Sequence, residues 1–450
     1  MLTNPFTPSD IAAGPDQFFG RGSELTAIET SLPLGSTLIQ GPIGIGKSSL
    51  LARALDLMAG AGCDTRVVVA NSEVETAESA ARLVLDSLID ANESDGKFRL
   101  KFGIKLFGGV EPNIEVESKD AAKDLREGRP LAALKRILEK DYKRRRASNR
   151  KLLILGIDEA DKAPTAMTRL VRSIWTHCQQ VGVPDVRFAF AGVSPLHQEM
   201  VAEDQGVERA FNRVLTLTPM SREETREMLL TKFTAVLSDA KTRGFNLTIV
   251  PDVVDRIVSL SGGHPHIVQL LGSHIIQHEQ ANPDGVLDAN DLLGVLQRIC
   301  YQDRKATYAA TLHLLENAGK LGSLSSLLTT NLVREGFPTK IDRQGAVEAV
   351  GLADIQWFVE HDVLAPRSAN DYGLVDEFLR VRLAFDGEKP ERRDEIEQEL
   401  VRKGHIVPWD EVKEAYYLRG EDIRDEESLE DEEGDQVTHE DQYEEEEEET

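Results

Sequence analysis

Eight consecutive residues constrain the fold of this chain more than any others, because together they have the spacing G-x-x-x-x-G-K-S: Gly41, Pro42, Ile43, Gly44, Ile45, Gly46, Lys47 and Ser48. An apolar run at residues 37–40 precedes them, and a helical pattern at residues 48–58 follows. Glycines let such a loop adopt positive φ and turn consecutive N–H groups toward an anion, at the positive end of the next helix. The segment therefore predicts a strand, a phosphate-binding loop and a helix.

The polar residues at the end of this loop have expected roles at a nucleoside triphosphate. Lys47 would place its charge at the β- and γ-phosphates, and Ser48 would offer its hydroxyl to Mg²⁺. Ser49 completes the segment that we expect to line the phosphates. The sequence thus predicts a nucleotide site with a magnesium ion.

A second motif lies about 110 residues downstream, where an apolar run at residues 152–157 ends in Asp158 and Glu159. A wholly apolar strand is typical of the buried centre of a parallel sheet, and ligands bind at the carboxyl ends of such strands. Asp158 is therefore expected in the Mg²⁺ shell, and Glu159 is expected to orient and deprotonate the water that attacks the γ-phosphate. Taken alone, the pattern is also typical of a strand followed by a helix cap.

Strand-like runs alternate with helical patterns through the first 220 residues. This alternation predicts an α/β fold class, with a parallel sheet covered on both faces as in the core of P-loop NTPases. A period-two pattern at residues 97–117 interrupts it and predicts an inserted β-hairpin with several basic residues. One long helix is expected at about residues 121–146, and the last core strand is expected at residues 214–217.

Three features of this region leave alternatives open. Ser194 follows a strand, where it would either sense the γ-phosphate or cap the next helix. Arg209 and Arg213 precede the last strand, and either would serve as an arginine finger for a neighbouring subunit or as a surface ion-pair partner. The cations at residues 143–146, with Arg150 and Lys151 close behind, would either stabilise a helix C-terminus or contact nucleic-acid phosphates.

Beyond residue 220 the pattern becomes mainly helical. Three helices, the third at residues 343–361, and a hairpin that pairs residues 363–366 with 372–375 predict a winged-helix module. Acidic residues on that third helix weaken a DNA-reading role. The expected domains are a core at residues 1–220, a helical lid at 221–300, a winged helix at 301–388, a linker or helical extension at 389–420 and a disordered acidic tail at 421–450.

Composition limits the partners and the compartment. The net charge is −26, and residues 421–450 hold −17 of it through eighteen acidic residues and one arginine. Such a tail either keeps the protein soluble or acts as an acidic decoy for a basic partner. The remaining −9 offers no basic excess, so nucleic-acid binding would need a local patch. Three cysteines without a C-x-x-C pair, and no apolar run approaching eighteen residues, predict a cytoplasmic protein with no membrane contact.

Taken together, these motifs resemble the AAA+ ATPases of the origin-recognition and archaeal-ATPase type, and the related STAND signalling ATPases. Phe19-Gly20-Arg21 followed by Glu24-Leu25 is similar to the family's F-x-G-R-x-x-E-L box. Residues 41–48 resemble its Walker A motif and residues 152–159 its Walker B motif. The resemblance covers about residues 15–385, includes a helical lid and a winged helix, and implies ATP and Mg²⁺ as cofactors.

The resemblance also assigns roles to further residues. It implies Phe19 and Arg21 near the adenine, Ser194 at the sensor 1 position, Arg213 as the arginine before the last core strand, and Pro265 in a lid signature similar to the STAND G-x-P. The sensor 2 arginine of replication-type lids is missing, and His264 and His266 stand in this stretch instead. No sensor repeats follow the winged helix, which favours a separate effector protein as partner.

The expected function is that of an Mg²⁺-dependent ATPase whose nucleotide state drives conformational change or assembly. Adenine is favoured by the resemblance and by the lack of an N-K-x-D motif. The expected partner is nucleic acid, or a protein that processes it, reached through the winged helix or the basic residues at 143–151; a homo-oligomer is compatible with an arginine finger. The alternative is a STAND-like nucleotide-gated switch for protein interactions with little turnover.

Overall fold

The computed structural model describes residues 2–375 apart from residues 9, 13, 15–16, 91–96, 102–112, 148–151, 184, 282, 300–304, 330–340, 362 and 367–369, together with residues 379, 382 and 383. The predicted linker at 389–420 and acidic tail at 421–450 lie outside the described residues. Among the residues that are described, no helix combines the length and the apolar character that crossing a membrane requires.

The first part of the chain alternates strands and helices. Its elements are α1 (Gly22–Ser31), β1 (Ser36–Gln40), α2 (Lys47–Gly60), β2 (Asp64–Val69), α3 (Ala77–Leu88), β3 (Ile89–Asp90), β4 (Lys97–Lys101), β5 (Asn113–Glu117), α4 (Lys119–Arg126), α5 (Pro130–Ala147), β6 (Leu153–Asp158), α6 (Pro164–Val181), β7 (Val186–Gly192), α7 (Leu196–Glu203) and β8 (Phe211–Thr216). Five strands form one sheet in the order β2-β6-β7-β1-β8, and every neighbouring pair is parallel. The predicted α/β fold class is confirmed.

Helices cover both faces of this sheet, because alternate residues of a strand point to opposite sides. In β6, Leu153, Leu155 and Ile157 join the hydrophobic core beneath α3, α4, α5 and α6. Ile154, between them, joins a second core formed with α1 and α2. All six residues of β6 are buried, as its apolar sequence predicted.

The single helix predicted at residues 121–146 is wrong, because the structure has two helices there. Helix α4 ends at Arg126 and α5 begins at Pro130. Gly128 between them has φ of 71°, which glycine adopts readily, and a proline is tolerated in the first turn of a helix but not in its interior. The break turns the chain so that α4 and α5 pack against each other.

The inserted hairpin is present as a three-stranded antiparallel sheet in the order β3-β4-β5. The backbone register places Lys97 opposite Glu117 and Arg99 opposite Glu115. Two of the basic positions of this insertion therefore stand across from acidic ones, which reduces the net positive charge that the hairpin offers to a polyanion. Its predicted turn at residues 108–109 lies outside the described residues.

The remaining elements are mainly helical and fall into two segments. The lid comprises α8 (Arg222–Thr242), β9 (Thr248–Ile249), α9 (Pro251–Ser261), α10 (Pro265–Ala281), β10 (Val286–Leu287) and α11 (Ala289–Arg298). The C-terminal module comprises α12 (Lys305–Asn317), α13 (Leu321–Thr329), β11 (Ile341–Asp342), α14 (Arg343–Val350), α15 (Leu352–Glu360), β12 (Leu364–Pro366) and β13 (Asp371–Leu374). Strands β12 and β13 pair antiparallel as predicted, whereas the winged-helix assignment stays a prediction.

The predicted helix at residues 343–361 is also divided, at Gly351, whose φ is 86°. The lid and the C-terminal module nevertheless share one continuous hydrophobic core, here called the lid core. Phe233 and Leu271 of the lid belong to it together with Tyr308 and Phe358 of the module. The lid and the module stabilise each other's position, because separating them would expose the apolar side chains of the shared core to water.

Candidate nucleotide site

The phosphate-binding loop joins the carboxyl end of β1 to the first turn of α2. Strand β1 lies between β7 and β8, so the loop emerges inside the sheet rather than at its margin. Gly44 and Gly46 have φ of 78° and 95°, a region in which side chains other than glycine are strained. Gly46 is the residue immediately before α2, so the free N–H groups of that helix face the loop.

Lys47 lies folded across the loop that precedes it. Its Nζ donates to the carbonyl oxygen of Gly41 at 2.9 Å and to that of Pro42 at 2.7 Å. Burial lowers the pKa of Lys47, while the negative charges of Asp161, Asp158 and Glu159 act in the opposite direction. An ammonium group and three carboxylates are therefore electrostatic neighbours at this edge of the sheet.

Asp158 is the last residue of β6, two strands away from β1 because β7 lies between them. With strands about 4.8 Å apart, the ends of β1 and β6 are separated by about 10 Å. Asp158 is buried, and its Oδ1 accepts the N–H of Glu159 at 3.0 Å. The phosphate loop and Asp158 therefore lie at the same edge of the sheet, two strand positions apart.

Glu159 is exposed and has φ of 52°, a left-handed conformation that is uncommon for a residue other than glycine. Such backbone conformations concentrate at functional sites, where the surrounding structure holds them. The chain turns here from the buried strand into a short 3-10 helix at residues 160–162. Glu159 thus stands at the carboxyl edge of the sheet, next to the buried Asp158.

Asp161 belongs to the same cluster, although the sequence did not single it out. Its Oδ1 accepts the N–H of Val193, just after β7, at 2.9 Å. A methyl group on Gly192 would meet that carboxylate oxygen at 2.9 Å, so the glycine permits the close approach. Among the three carboxylates, Asp161 also has the largest electrostatic effect on the pKa of Lys47, which it raises. The signal in the sequence was an acidic residue three positions after Asp158.

Comparison with solved structures identifies the fold. The Walker-type ATPase of Pyrococcus abyssi matches with a TM-score of 0.50 and 14% identity, covering 84% of this chain and 99% of that one. The chain has the AAA+ P-loop ATPase fold.

Two further solved structures are similar at a lower level. The Aeropyrum pernix ORC1 protein in complex with DNA matches at 16% identity with a TM-score of 0.43, covering 83% of this chain and 94% of that one. The Thermotoga maritima RuvB Holliday junction branch migration motor matches at 12% identity with a TM-score of 0.39, covering 81% and 95%. No protein-family model matches the sequence, and no curated protein does.

Within this AAA+ fold, Ser194 follows β7 and is partly exposed at the same edge as the carboxylates. Helix α7 begins at Leu196, and the residue at its cap position is Pro195, which makes no side-chain cap. The alternative that Ser194 caps this helix is therefore wrong. Its role as a sensor of the γ-phosphate stays a prediction.

Arg213 lies inside β8 rather than ahead of it, because this strand begins at Phe211, three residues earlier than predicted. It pairs in register with Thr37, near the start of β1, whereas the phosphate loop follows the other end of that strand. Three residues of strand correspond to about 10 Å. Arg209 precedes the start of β8, where Phe211 pairs with Ser36, so both arginines lie toward the amino end of the strands and away from the phosphate loop of their own chain.

Arg21 is hydrogen-bonded both to the phosphate loop of the core and to the lid. It is buried, with φ of 62°, and its Nη2 donates to the carbonyl of Ile45 at 3.3 Å. Its backbone N–H donates to Oε1 of Glu224 in α8 at 3.1 Å, and its guanidinium pairs with Glu24 at 2.9 Å. Phe19, predicted near the adenine, packs against the lid core.

The lid also touches the loop directly, through the first turn of α10. The backbone N–H of His266 donates to the carbonyl of Gly44 at 3.3 Å. A methyl group on Gly46 would lie 3.8 Å from the ring of Pro265, the predicted lid residue. The core and the lid therefore meet at the loop itself.

The cations at the end of α5 are largely structural. Arg145 is fully buried and pairs with Asp141 at 2.7 Å, while Arg144 pairs with Asp64 at 2.5 Å. Arg146 lies over the ring of Tyr142 at 5.8 Å. The alternative that these residues form a phosphate-contacting patch is wrong for Arg144 and Arg145, because their charges are neutralised by carboxylates of the core. Arg150 and Lys151 lie outside the described residues.

Proposed function

We propose that this chain binds ATP with Mg²⁺ and hydrolyses it. One observation carries the proposal. Lys47 is half-buried where a glycine loop meets a helix N-terminus, and the negative charges of Asp158, Glu159 and Asp161 act on its ammonium group. A loop of this kind offers N–H donors to phosphate oxygens, and the nearby acids supply a metal ligand and a base. Adenine as the base rests on the family resemblance of the sequence.

The residues divide the reaction among themselves. The loop amides and Lys47 hold the β- and γ-phosphates, after Lys47 exchanges the carbonyls of Gly41 and Pro42 for phosphate oxygens. Ser48 and Asp158 fit Mg²⁺, which binds proteins through few oxygen ligands and takes the others from phosphate and water. When bound, the ion neutralises charge that develops on the phosphates. Glu159 accepts a proton from the attacking water.

The output of the cycle is a movement of the lid and the C-terminal module together. The first turn of α10 lies on the phosphate loop, so the phosphates of a bound nucleotide alter its surroundings. Because the lid core runs through both segments, a shift of α10 carries the module with it. Nucleotide binding is thereby coupled to the surface that the module presents to a partner.

Two paired substitutions test the ATPase. Lys47→Ala should weaken ATP binding at least 100-fold, because a charged contact to the phosphates is lost, whereas Lys162→Ala, an exposed lysine near the site, should leave it unchanged. Glu159→Gln should keep ATP binding within about 2-fold and lower turnover about 100-fold or more. Glu199→Gln on α7 is its control. Turnover of Glu159→Gln at the wild-type rate would show that another group activates the water.

The partner is proposed to be nucleic acid or a protein that processes it, and a nucleotide-gated protein-interaction switch is the second candidate. The ion pairs of Arg144 and Arg145 favour the second, since they neutralise two cations of the basic run. DNA binding measured across a range of salt separates them. Phosphate contacts release counterions, so genuine binding should weaken steeply as salt rises. A failure to bind DNA even at low salt would leave the switch.

A further inference from the structure

The first residues of the chain form an extended segment, here called the strap, that comprises residues 2–8 and 10–12. The strap runs antiparallel to α10, because successive strap residues bond to helix residues with progressively lower residue numbers. The bonds are Gln280 Nε2 to the carbonyl of Leu2 (2.6 Å), Asn4 Nδ2 to Ser273 Oγ (3.0 Å), the N–H of Thr7 to Gln269 Oε1 (3.1 Å) and His266 Nδ1 with the carbonyl of Pro8 (3.0 Å).

Helix α8 forms the other wall of the groove that holds the strap. The N–H of Thr3 donates to Oδ2 of Asp239 at 2.7 Å, and Lys232 donates through Nζ to the carbonyl of Pro5 at 2.7 Å. Lys232 is buried, and this burial lowers its pKa to about 8. A lysine is rarely buried so deeply without a carboxylate, and here its contacts are a strap carbonyl and the ring of Phe6, 5.5 Å away.

Phe6 anchors the strap in this groove. It is 3% exposed and packs edge-on against Phe233 of α8, with the ring centroids 5.3 Å apart. On the other side it lies against Gly272 of α10, where a methyl group would come within 2.2 Å of the ring. The glycine therefore makes room for the phenylalanine, and any larger residue at position 272 would displace it.

The strap ends on the phosphate-binding machinery. Pro8 contacts the side chain of His266, whose backbone N–H donates to Gly44 of the loop. The N–H of Ala12 then donates to Oγ of Ser49, two residues after Lys47, at 3.1 Å. The strap thus bonds to α8 and α10 of the lid and also to α2, the helix that follows the phosphate loop.

We propose that the strap is a latch that holds the lid against the phosphate loop and slows the release of bound nucleotide. The inference rests on the proposed nucleotide function of the same site. The strap adds a series of hydrogen bonds to the one between His266 and Gly44, and these must also break before α10 moves away from the loop. Releasing the strap opens the lid and lets the nucleotide leave.

Gly272→Ala tests the latch in the full-length chain, because it displaces Phe6 from the groove while leaving the residues of the strap and of the nucleotide site unsubstituted. Gly322→Ala is the matched control, since Gly322 lies in α13 with open space around it. Hydrogen exchange should become about tenfold faster at the amides of Thr3 and Thr7 in Gly272→Ala only. Dissociation of the fluorescent ATP analogue mant-ATP should accelerate by about 3- to 30-fold in the same variant.

Phe6→Ala provides a second variant in case Gly272→Ala does not fold, with Phe245→Ala, an exposed phenylalanine, as its control. Faster strap exchange with unchanged mant-ATP dissociation would overturn the latch. If the wild-type chain binds no mant-ATP, the proposed ATPase function fails, and the latch is judged on exchange at residues 41–49 alone. Faster exchange there in Gly272→Ala supports the latch, and unchanged exchange overturns it.

Discussion

Asp161 combines two separable effects at one residue. Its carboxylate oxygen fixes the backbone at Val193, the residue before Ser194, and its charge acts on Lys47. The first effect needs only an acceptor atom, whereas the second needs a negative charge. Asparagine preserves the acceptor and removes the charge, while alanine removes both. The two substitutions therefore distinguish the positioning of the backbone before Ser194 from the electrostatic effect on Lys47.

We expect Asp161→Ala to lower ATP turnover about tenfold or more, since the partly buried N–H of Val193 loses its partner, and Asp161→Asn to retain most turnover at neutral pH. Burial already lowers the pKa of Lys47, and Asp161 opposes that shift. Without its charge the pKa falls further, so Lys47 loses its proton at a lower pH. The alkaline loss of ATP affinity in Asp161→Asn should therefore begin at lower pH than in the wild type. Equal pH profiles of ATP binding would contradict this.

At the scale of elements, the sequence predicts what depends on local pattern. Strand β6 and the phosphate loop were predicted because a buried parallel strand is continuously apolar and a phosphate loop needs its glycines at fixed spacing. Glycine often ends a helix, but the breaks at Gly128 and Gly351 were not predicted, because the helical periodicity of the sequence continues on both sides of each glycine.

Contacts between distant elements were not predictable in the same way. The sequence shows Arg144 only as part of a basic run, and the structure places Asp64 of β2 beside it. The strap has no periodicity, and its partners in α8 and α10 lie more than 200 residues away along the chain. Nothing in a local pattern reports which side chains will bond an extended segment.

Two adjacent arginines of α5 should differ sharply in their effect on stability. Arg145→Met breaks a fully buried ion pair and leaves Asp141 with less compensation, so we expect a loss of about 3 kcal/mol in the free energy of unfolding. Arg146→Met removes an exposed cation and should change it by less than about 0.5 kcal/mol. Urea unfolding of both variants measures the difference. Equal losses of unfolding free energy in the two variants would mean that the ion pair between Arg145 and Asp141 does not stabilise the fold.

At the scale of the whole molecule, the hydrophobic cores do not correspond one to one with the predicted segments. The sheet has a core on each face, but the lid and the C-terminal module have one between them. Sequence patterns placed a boundary near residue 300, where composition and periodicity change. The hydrophobic packing continues across that boundary, because Leu296 and Ile299 belong to the lid core together with Tyr308.

A shortened chain that ends at residue 300 should therefore be unstable, since it loses the apolar partners of the lid and exposes its core to water. A chain that ends at residue 387 keeps every residue of the lid core and should unfold at the temperature of the full chain. Thermal unfolding followed by circular dichroism compares the two. A chain ending at residue 300 that unfolds cooperatively at the full-chain temperature would show that the lid is an independent unit.

The shared lid core connects the surroundings of the phosphate loop with the C-terminal strands. Ile267 and Val268, in the first turn of α10 beside the contact between His266 and Gly44, belong to the same core as Leu364 of β12 and Leu374 of β13. Under the proposed function, a tilt of α10 on loss of the γ-phosphate would therefore displace these strands as well, and a partner docked on them would respond to the nucleotide without touching it.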